Sequence, residues 1–528
     1  MKKVFYIIMI LTGLGAVSCQ KWLDVNTDPN AVTSVDNDLI VPAIEMTVLN
    51  NYGLYGSLIG SYLSEQYAVM PGGPNTLSQA QWLTQDGTGL AGNADNLYRF
   101  TYIRIINNAR TVREQAAANN AWGDYLVGTV YRAIAYQMLI DAFGETPYTE
   151  AENTAITAPH YDEGKDVYAA LVADIDEALS KLEGGEMVCD NMLFQSNDVN
   201  NYVQLANSIK LRLLMRESGA VDVKAALATL VAEDNFITAD AKFVSGLFSD
   251  QAGQDNPLYD QFVRGAGNAS AKRTKDIVGH MAVISAMNEV SDGRLSKKFT
   301  PSVGRGLYEG GFIDTQYSNE ITAGYCNENS YSEPVLAYNT PVYVMTVSEV
   351  NFFLAEYYAK IAPDATKAEQ YYKAAIDASF ATDGATGSDA IYATGAKYAW
   401  NASKAEELIG VQKWIALTNV NGFEAWCELR RLGYPEFNAK TGAEVYSTWT
   451  TLAKNNINNN VADPTPTAED LSDAGVYTFG KLVTPQSATG ITAGTLVGRL
   501  LYSSTYSTTR NANAPERKEK SVKVFWAK

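Results

Sequence analysis

Histidine is nearly missing from this chain: His160 and His280 are the only two in 528 residues. They are isolated from each other and from cysteine, and no HExxH or GxSxG motif accompanies them, so the common zinc-hydrolase and serine-nucleophile signatures are absent. Cysteine is scarce too. Cys19, Cys189, Cys326 and Cys427 are widely separated, without a CxxC pair or a histidine at ligand spacing, which implies neither a zinc site nor a disulfide framework. Charged residues make up 19% of the chain, below the usual quarter, and acids outnumber bases by 59 to 41. The net charge of −18 argues against nucleic acid, which needs a basic footprint. Long apolar runs are also lacking. After the N-terminus no stretch reaches the roughly 18 apolar residues of a membrane span.

The one apolar run stands at the start. Lys2 and Lys3 precede Val4–Val17, which is broken only by Thr12, Gly13 and Gly15. That suits the apolar region of a secretory signal and is short for a span. It closes on Ala16-Val17-Ser18-Cys19, small residues before a cysteine, as a lipoprotein signal peptidase requires. Cys19 is therefore the expected lipid attachment point, with a signal peptide over residues 1–18. Several acyl chains on one cysteine give stable anchoring where one would not. Removing Lys2 and Lys3 takes the formal charge from −18 to −20. Tyrosine is abundant, with 32 residues, and its ring offers an apolar face and a hydroxyl suited to sugars and peptides.

The clearest periodicity is helical. In Gly164–Glu183, Val167, Leu171, Ile175, Leu179 and Leu182 share a stripe. Asp124–Phe143 and Asn200–Glu217 are similar and more apolar. Val347–Ile361 and Ala365–Phe380 are separated by Pro363-Asp364, a stop followed by a start. Leu354-Ala355 and Tyr358 on the first of these, with Ala368, Tyr372 and Ala375 on the second, resemble a tetratricopeptide helix pair. Asp124–Phe143 with Gly164–Glu183 reads as another pair across a long insert, and Ser403–Leu432 as a further long helical stretch. Met70–Asn96, Gly246–Lys272, Thr300–Asn339, Ala381–Asn401 and Lys454–Thr495 read as loops, and loops this long are commonly functional. The expected fold class is mostly α: one domain over 19–528 with a tetratricopeptide-like helical repeat scaffold, chiefly within 100–217 and 346–432, and a loop-rich ligand-binding half.

Six segments in order resemble the SusD/RagB-like family of Bacteroidota outer-membrane lipoproteins. They are Leu23–Asn30; Asp141-Ala142-Phe143-Gly144-Glu145 with Pro147-Tyr148 and Glu150; Ala206-Asn207-Ser208 with Lys210–Leu213 and Arg216; Asn256-Pro257 with Asp292-Gly293-Arg294-Leu295; Ser348–Val350 with Leu354–Glu356; and Lys413-Trp414 with Glu424-Ala425-Trp426 and Arg430–Pro435. The family's C-terminal motif is represented only by Arg499–Ser503 and Asn511, without its Pro and Glu. The resemblance implies a SusD-like fold and a surface lipoprotein of the cell outer membrane that faces the exterior. It also implies a SusC-like TonB-dependent transporter as partner and an oligosaccharide, or in some members an oligopeptide, as cargo. No cofactor or metal is called for. By the same resemblance two loop regions supply the ligand site, which nominates Tyr67 and Trp82 in the first and Tyr308, Tyr317, Tyr325 and Tyr331 in the second.

Other motif matches fail on chemistry. Gly87–Gly92 fits GxGxxG without a preceding strand. Gly475–Lys481 is followed by Leu482 where magnesium needs a hydroxyl. Asp24, Asn26 and Asp28 begin like a calcium loop, but Pro29 replaces the needed glycine. A carboxylate pair for glycoside hydrolysis depends on distance in space, so a surface glycoside hydrolase stays the reading from another class. A repeat scaffold that touches only proteins is the third. Phe353, Tyr357, Tyr358, Tyr371 and Tyr372 lie at helical spacing and are expected in the core.

Overall fold

A computed structural model of the chain describes residues 35–69, 90–182, 184–264, 277–312, 318–327, 329–485, 491–516 and 519–528. The order begins with α1 (Asn37–Asn50), which runs through a π turn at Asn51–Tyr55 into α2 (Gly56–Leu63) and strand β1 (Tyr67–Val69). Next come α3 (Leu90–Phe100), a π turn at Thr101–Ile106, α4 (Asn107–Asn119), α5 (Trp122–Phe143) and α6 (Gly164–Lys181). They are followed by α7 (Val199–Glu217), α8 (Lys224–Glu233) and β2 (Ala241–Phe243). The second half holds β3 (Ile277–Gly279), α9 (Met281–Glu289), β4 (Val342–Met345), α10 (Val347–Glu356) and α11 (Ala365–Asp383). After these come α12 (Ala405–Leu417), α13 (Gly422–Leu432), α14 (Gly442–Asn458) and α15 (Ala468–Asp473). The strands form two short antiparallel pairs, β1 with β3 and β2 with β4.

Helices consecutive in the chain pack on one another: α4 on α5, α5 on α6, α10 on α11, and α12 on α13. This is the repeat scaffold that the sequence implied. From Gly123 to Phe143 every residue of α5 is buried, because α4, α6 and α7 surround it. Asp364 caps α11 by accepting the Lys367 N–H at 3.0 Å, as Pro363-Asp364 foretold. Phe353, Tyr357 and Tyr372 are buried, while Tyr358 and Tyr371 stack half-buried on each other at 5.6 Å. Cys189, Cys326 and Cys427 are free and buried.

Several expectations need correcting: the loop expected over Lys454–Thr495 begins inside α14 and contains α15, and the one over Ala381–Asn401 begins inside α11 and holds a short helix at Ser388–Tyr392. Ser403–Leu432 is not one stretch. Asn419 adopts φ +59 and Asn421 caps α13 by accepting the Glu424 N–H at 3.1 Å, which splits it into two packed helices. The loop expected to run to Asn96 ends earlier, since α3 starts at Leu90. Where α2 meets α13 the backbones touch. A Cβ on Gly60 would lie 2.1 Å from the Gly422 carbonyl oxygen, so neither position tolerates a side chain.

The scaffold closes on a buried ionic lattice. Arg212 and Arg216 of α7 are both fully buried. Arg212 grips Glu349 of α10 with Nε and Nη2, at 2.7 and 2.9 Å. Arg216 donates to Asp141 of α5 at 2.5 Å, to Glu424 of α13, and to Glu428 at 3.0 Å. Arg431 links Glu428 to Glu356, and Lys413 of α12 reaches Glu428 at 3.0 Å. These cations hold the Glu428 carboxyl well below the usual carboxylate range despite its burial. Arg430 does not join Glu424. It donates to the Gly498 carbonyl at 2.8 Å and lies over Trp426 and Trp526, while Trp526 Nε1 donates to Asp141 at 2.8 Å. Arg212, Arg216, Lys413, Arg430 and Arg431 stand against Asp141, Glu349, Glu356, Glu424 and Glu428, so formal charge balances inside.

Two outcomes follow. Arg216→Met removes the only cation paired with Asp141 among the described residues and one of those on Glu424 and Glu428, and should cost about 3–5 kcal/mol in urea unfolding, or prevent folding. Glu217, at the end of α7, has its carboxyl pushed up to about 7 by burial. The native state then keeps a proton that the unfolded chain has already released, so stability should fall as pH rises through that range. Glu217→Gln should flatten the fall in a series of melting temperatures.

Candidate functional site

A cleft in the loop-rich half has a volume of about 430 Å³ and lies between α9, the 306–310 segment, α15 and Phe479. Its floor is α9, whose first turn is held because His280 Nδ1 accepts the Ala282 N–H at 3.1 Å. His280 is buried, and desolvation drives its basicity down, so it is a neutral cap and not a proton carrier. Met281, Ile284, Ser285, Asn288 and Glu289 rise from this helix into the cleft. The opposing wall is tied down at several points. Asn288 Nδ2 donates to the Tyr308 carbonyl at 2.9 Å. Glu309 N–H donates to Ser332 Oγ at 3.0 Å, and Ser332 N–H returns a bond to the Glu309 carbonyl at 2.8 Å. Gly310 passes so near the helix that a Cβ there would lie 2.5 Å from Met281 Cα.

The lining combines flat rings with hydrogen-bonding groups. Tyr308 and Phe479 are aromatic lining residues, and Leu307 adds an exposed apolar rim. Ser285 Oγ meets Tyr477 OH at 3.1 Å, while Asn288, Glu309 and Glu469 offer amide and carboxylate groups. Glu289 is already paired with Lys397. Burial raises the Glu309 carboxyl to about 7, opposed by Arg305 and reinforced by Asp470, Asp463 and Glu469. Among the described residues no group of three or more His, Cys, Asp or Glu is placed to hold a metal ion. The arrangement suits a ligand with an apolar ring face and many hydroxyls.

The nominated aromatics do not converge. Tyr308 lines the cleft. Tyr325 lies half-buried, edge-on to buried Trp449 at 6.3 Å, and packs with Tyr308 against the same apolar cluster. Tyr67 is 2% exposed within β1 and Tyr331 is 3% exposed, so both rings face the core and not solvent. Cys19, Trp82 and Tyr317 lie outside the described residues. Sequence reasoning missed Ser285, Asn288, Glu469 and Phe479. The first two stand on an amphipathic-looking helix and the others lie nearly two hundred positions on, so no spacing brings them together.

Among the described residues no helix is long and apolar enough to cross a membrane. No curated protein matches the sequence. The fold is shared with solved structures. A SusD homolog from Bacteroides uniformis superposes with a TM-score of 0.66 at 22% identity, covering 93% of this chain and 100% of that one. A chitin-binding SusD homolog from Flavobacterium johnsoniae gives 0.66 at 18% identity, with 92% and 98% covered. A SusD homolog from Bacteroides thetaiotaomicron gives 0.65 at 20%, with 94% and 99% covered. The SusD-like family model, described as starch-binding and associating with the outer membrane, matches residues 85–450. With that match spanning well over half of a mostly helical chain of this architecture, the protein belongs to the SusD-like family.

Proposed function

We propose that this protein is a lipid-anchored surface protein of the outer membrane that holds an oligosaccharide in the Tyr308 cleft and delivers it to a SusC-like TonB-dependent transporter. The observation that carries the reading is the cleft itself: aromatic residues and hydrogen-bonding groups on a wall pinned by Asn288 and Ser332. Preorganised walls reduce the ordering cost of binding. The family's starch-binding description and the chitin-binding homolog of the same fold support a glycan over an oligopeptide. A family described by binding, with no reaction attached, stands against the glycoside hydrolase reading. Anchoring through Cys19 accounts for membrane association in a family so described. Tyr325, which packs with Tyr308 against the same apolar cluster, enters the proposal as a secondary position, and Trp82 and Tyr317 are kept as ligand contacts on the strength of the family resemblance alone.

Calorimetry of the mature protein against starch, chitin and peptide oligomers tests this. One glycan should bind, and Tyr308→Ala should weaken it about tenfold, the scale of one lost ring contact. Binding only to peptides, or an unchanged affinity in the variant, would refute the assignment. If the ionised Glu309 accepts sugar hydroxyls, affinity should rise as pH increases through about 7, and Glu309→Gln should remove that dependence. Mass spectrometry of the native protein should find acyl chains on the cysteine at position 19. Its transporter should copurify from outer membranes.

A further inference from the structure

A second cleft lies on the helical scaffold, away from Tyr308. One wall is the end of α3 with the π turn that follows, and the other is the 506–511 segment. It has two lobes, of about 270 and 250 Å³, that share Tyr102, Ile103 and Ala151. Together they fall within the size range of small-ligand sites. The walls are stitched across long sequence separations. Arg99 donates to Tyr506 OH at 3.0 Å, Tyr161 OH meets Ser507 Oγ at 2.6 Å, and Asn511 Nδ2 donates to the Pro159 carbonyl at 2.6 Å. Ile103, at the junction of the lobes, is 59% exposed and offers them an apolar surface.

The charges set this cleft apart. The chain carries −18 overall, yet the larger lobe is lined by Arg99 and Arg510 and, among the described residues, by no carboxylate. Neither arginine forms an ion pair among the described residues, unlike Arg110, Arg113 and Arg132 nearby. Arg99 Nε is buried without a hydrogen-bond partner among the described residues. Arg510 uses Nε on the Thr505 carbonyl and leaves the rest of its guanidinium for another acceptor. Glu152, in the smaller lobe, is already neutralised by Arg132 at 2.6 Å. Two guanidinium groups with no ion pair among the described residues, beside tyrosine, proline and isoleucine side chains, match a ring with one apolar side and one anionic substituent.

The geometry points to a second binding site that takes a pyranose bearing a carboxylate, a uronic acid unit of a glycan. Its ring lies across Tyr102, Ile103 and Tyr506, and its carboxylate meets Arg99 and Arg510. The site does not depend on the Tyr308 reading, because the two clefts share no residue.

Calorimetry of the mature protein with tetragalacturonate, its methyl ester and citrate distinguishes the outcomes. Tetragalacturonate should bind and should weaken at high salt, and the neutral ester should bind at least tenfold less tightly. Arg99→Gln and Arg510→Gln should each lower the affinity at least tenfold, while Tyr308→Ala leaves it unchanged. Arg510 is exposed, so its variant remains informative if Arg99→Gln melts early. No binding of tetragalacturonate, equal binding of the ester, or unchanged affinity in the Arg510 variant would overturn the assignment. Citrate binding as tightly as tetragalacturonate would overturn its sugar part. Loss of neutral-glycan binding in Tyr308→Ala alone reports on the other cleft.

Discussion

The whole scaffold depends on neutralising charge where water cannot reach. Arg212 and Arg216 sit on one helix with no exposure, and each must find carboxylates on other elements. A buried ion pair adds little net stability compared with apolar packing of the same volume, because desolvation offsets the attraction. What it imposes is selectivity. A packing that separates α7 from α5, α10 or α13 leaves a bare charge in the interior, so alternative arrangements of these otherwise similar apolar helices are penalised. The direct contact of Gly60 with Gly422 acts the same way by sterics, admitting α2 against α13 at one spacing only.

The loop-rich half hangs on this frame through separate fastenings. Arg294 holds Asp292 and reaches Ser379 and Gln412 at 2.9 and 2.8 Å, while Lys298 donates to the Thr418 carbonyl at 2.7 Å. These bonds tie the segment after α9 to α11 and α12. The 306–310 wall rests on α9 in turn, so a rigid helical frame sets the position of a cleft built mostly from irregular chain. Binding surfaces on loops gain their precision from such supports.

The helices were legible because apolar stripes and caps act over a few residues. The segments that carried the family resemblance turn out to be largely lattice residues: Asp141, Arg212, Arg216, Glu349, Glu356, Lys413, Glu424 and Arg431 all meet in the interior. Arg431 and Glu428 stand three residues apart on one helix, whereas the partners of Arg216 lie 75, 208 and 212 positions away and no local pattern announces them. The site was less legible for the same reason. Tyr67 reads like any loop tyrosine until its pairing with Gly279 places it in a strand under cover. Asn288 and Phe479 become neighbours only after the chain has folded.

Trp526 completes this interior by donating to Asp141 across 385 positions. That link bears on the sequence of events during synthesis. A growing chain that ends before Glu424 already contains Arg212 and Arg216 with Asp141 and Glu349, but it lacks Glu424 and Glu428, so the ionic interior between its helices is incomplete. The early half must wait, loosely held, until residues from the far half arrive. Maturation of this scaffold is thus timed by the arrival of distant side chains and not by how fast each helix coils.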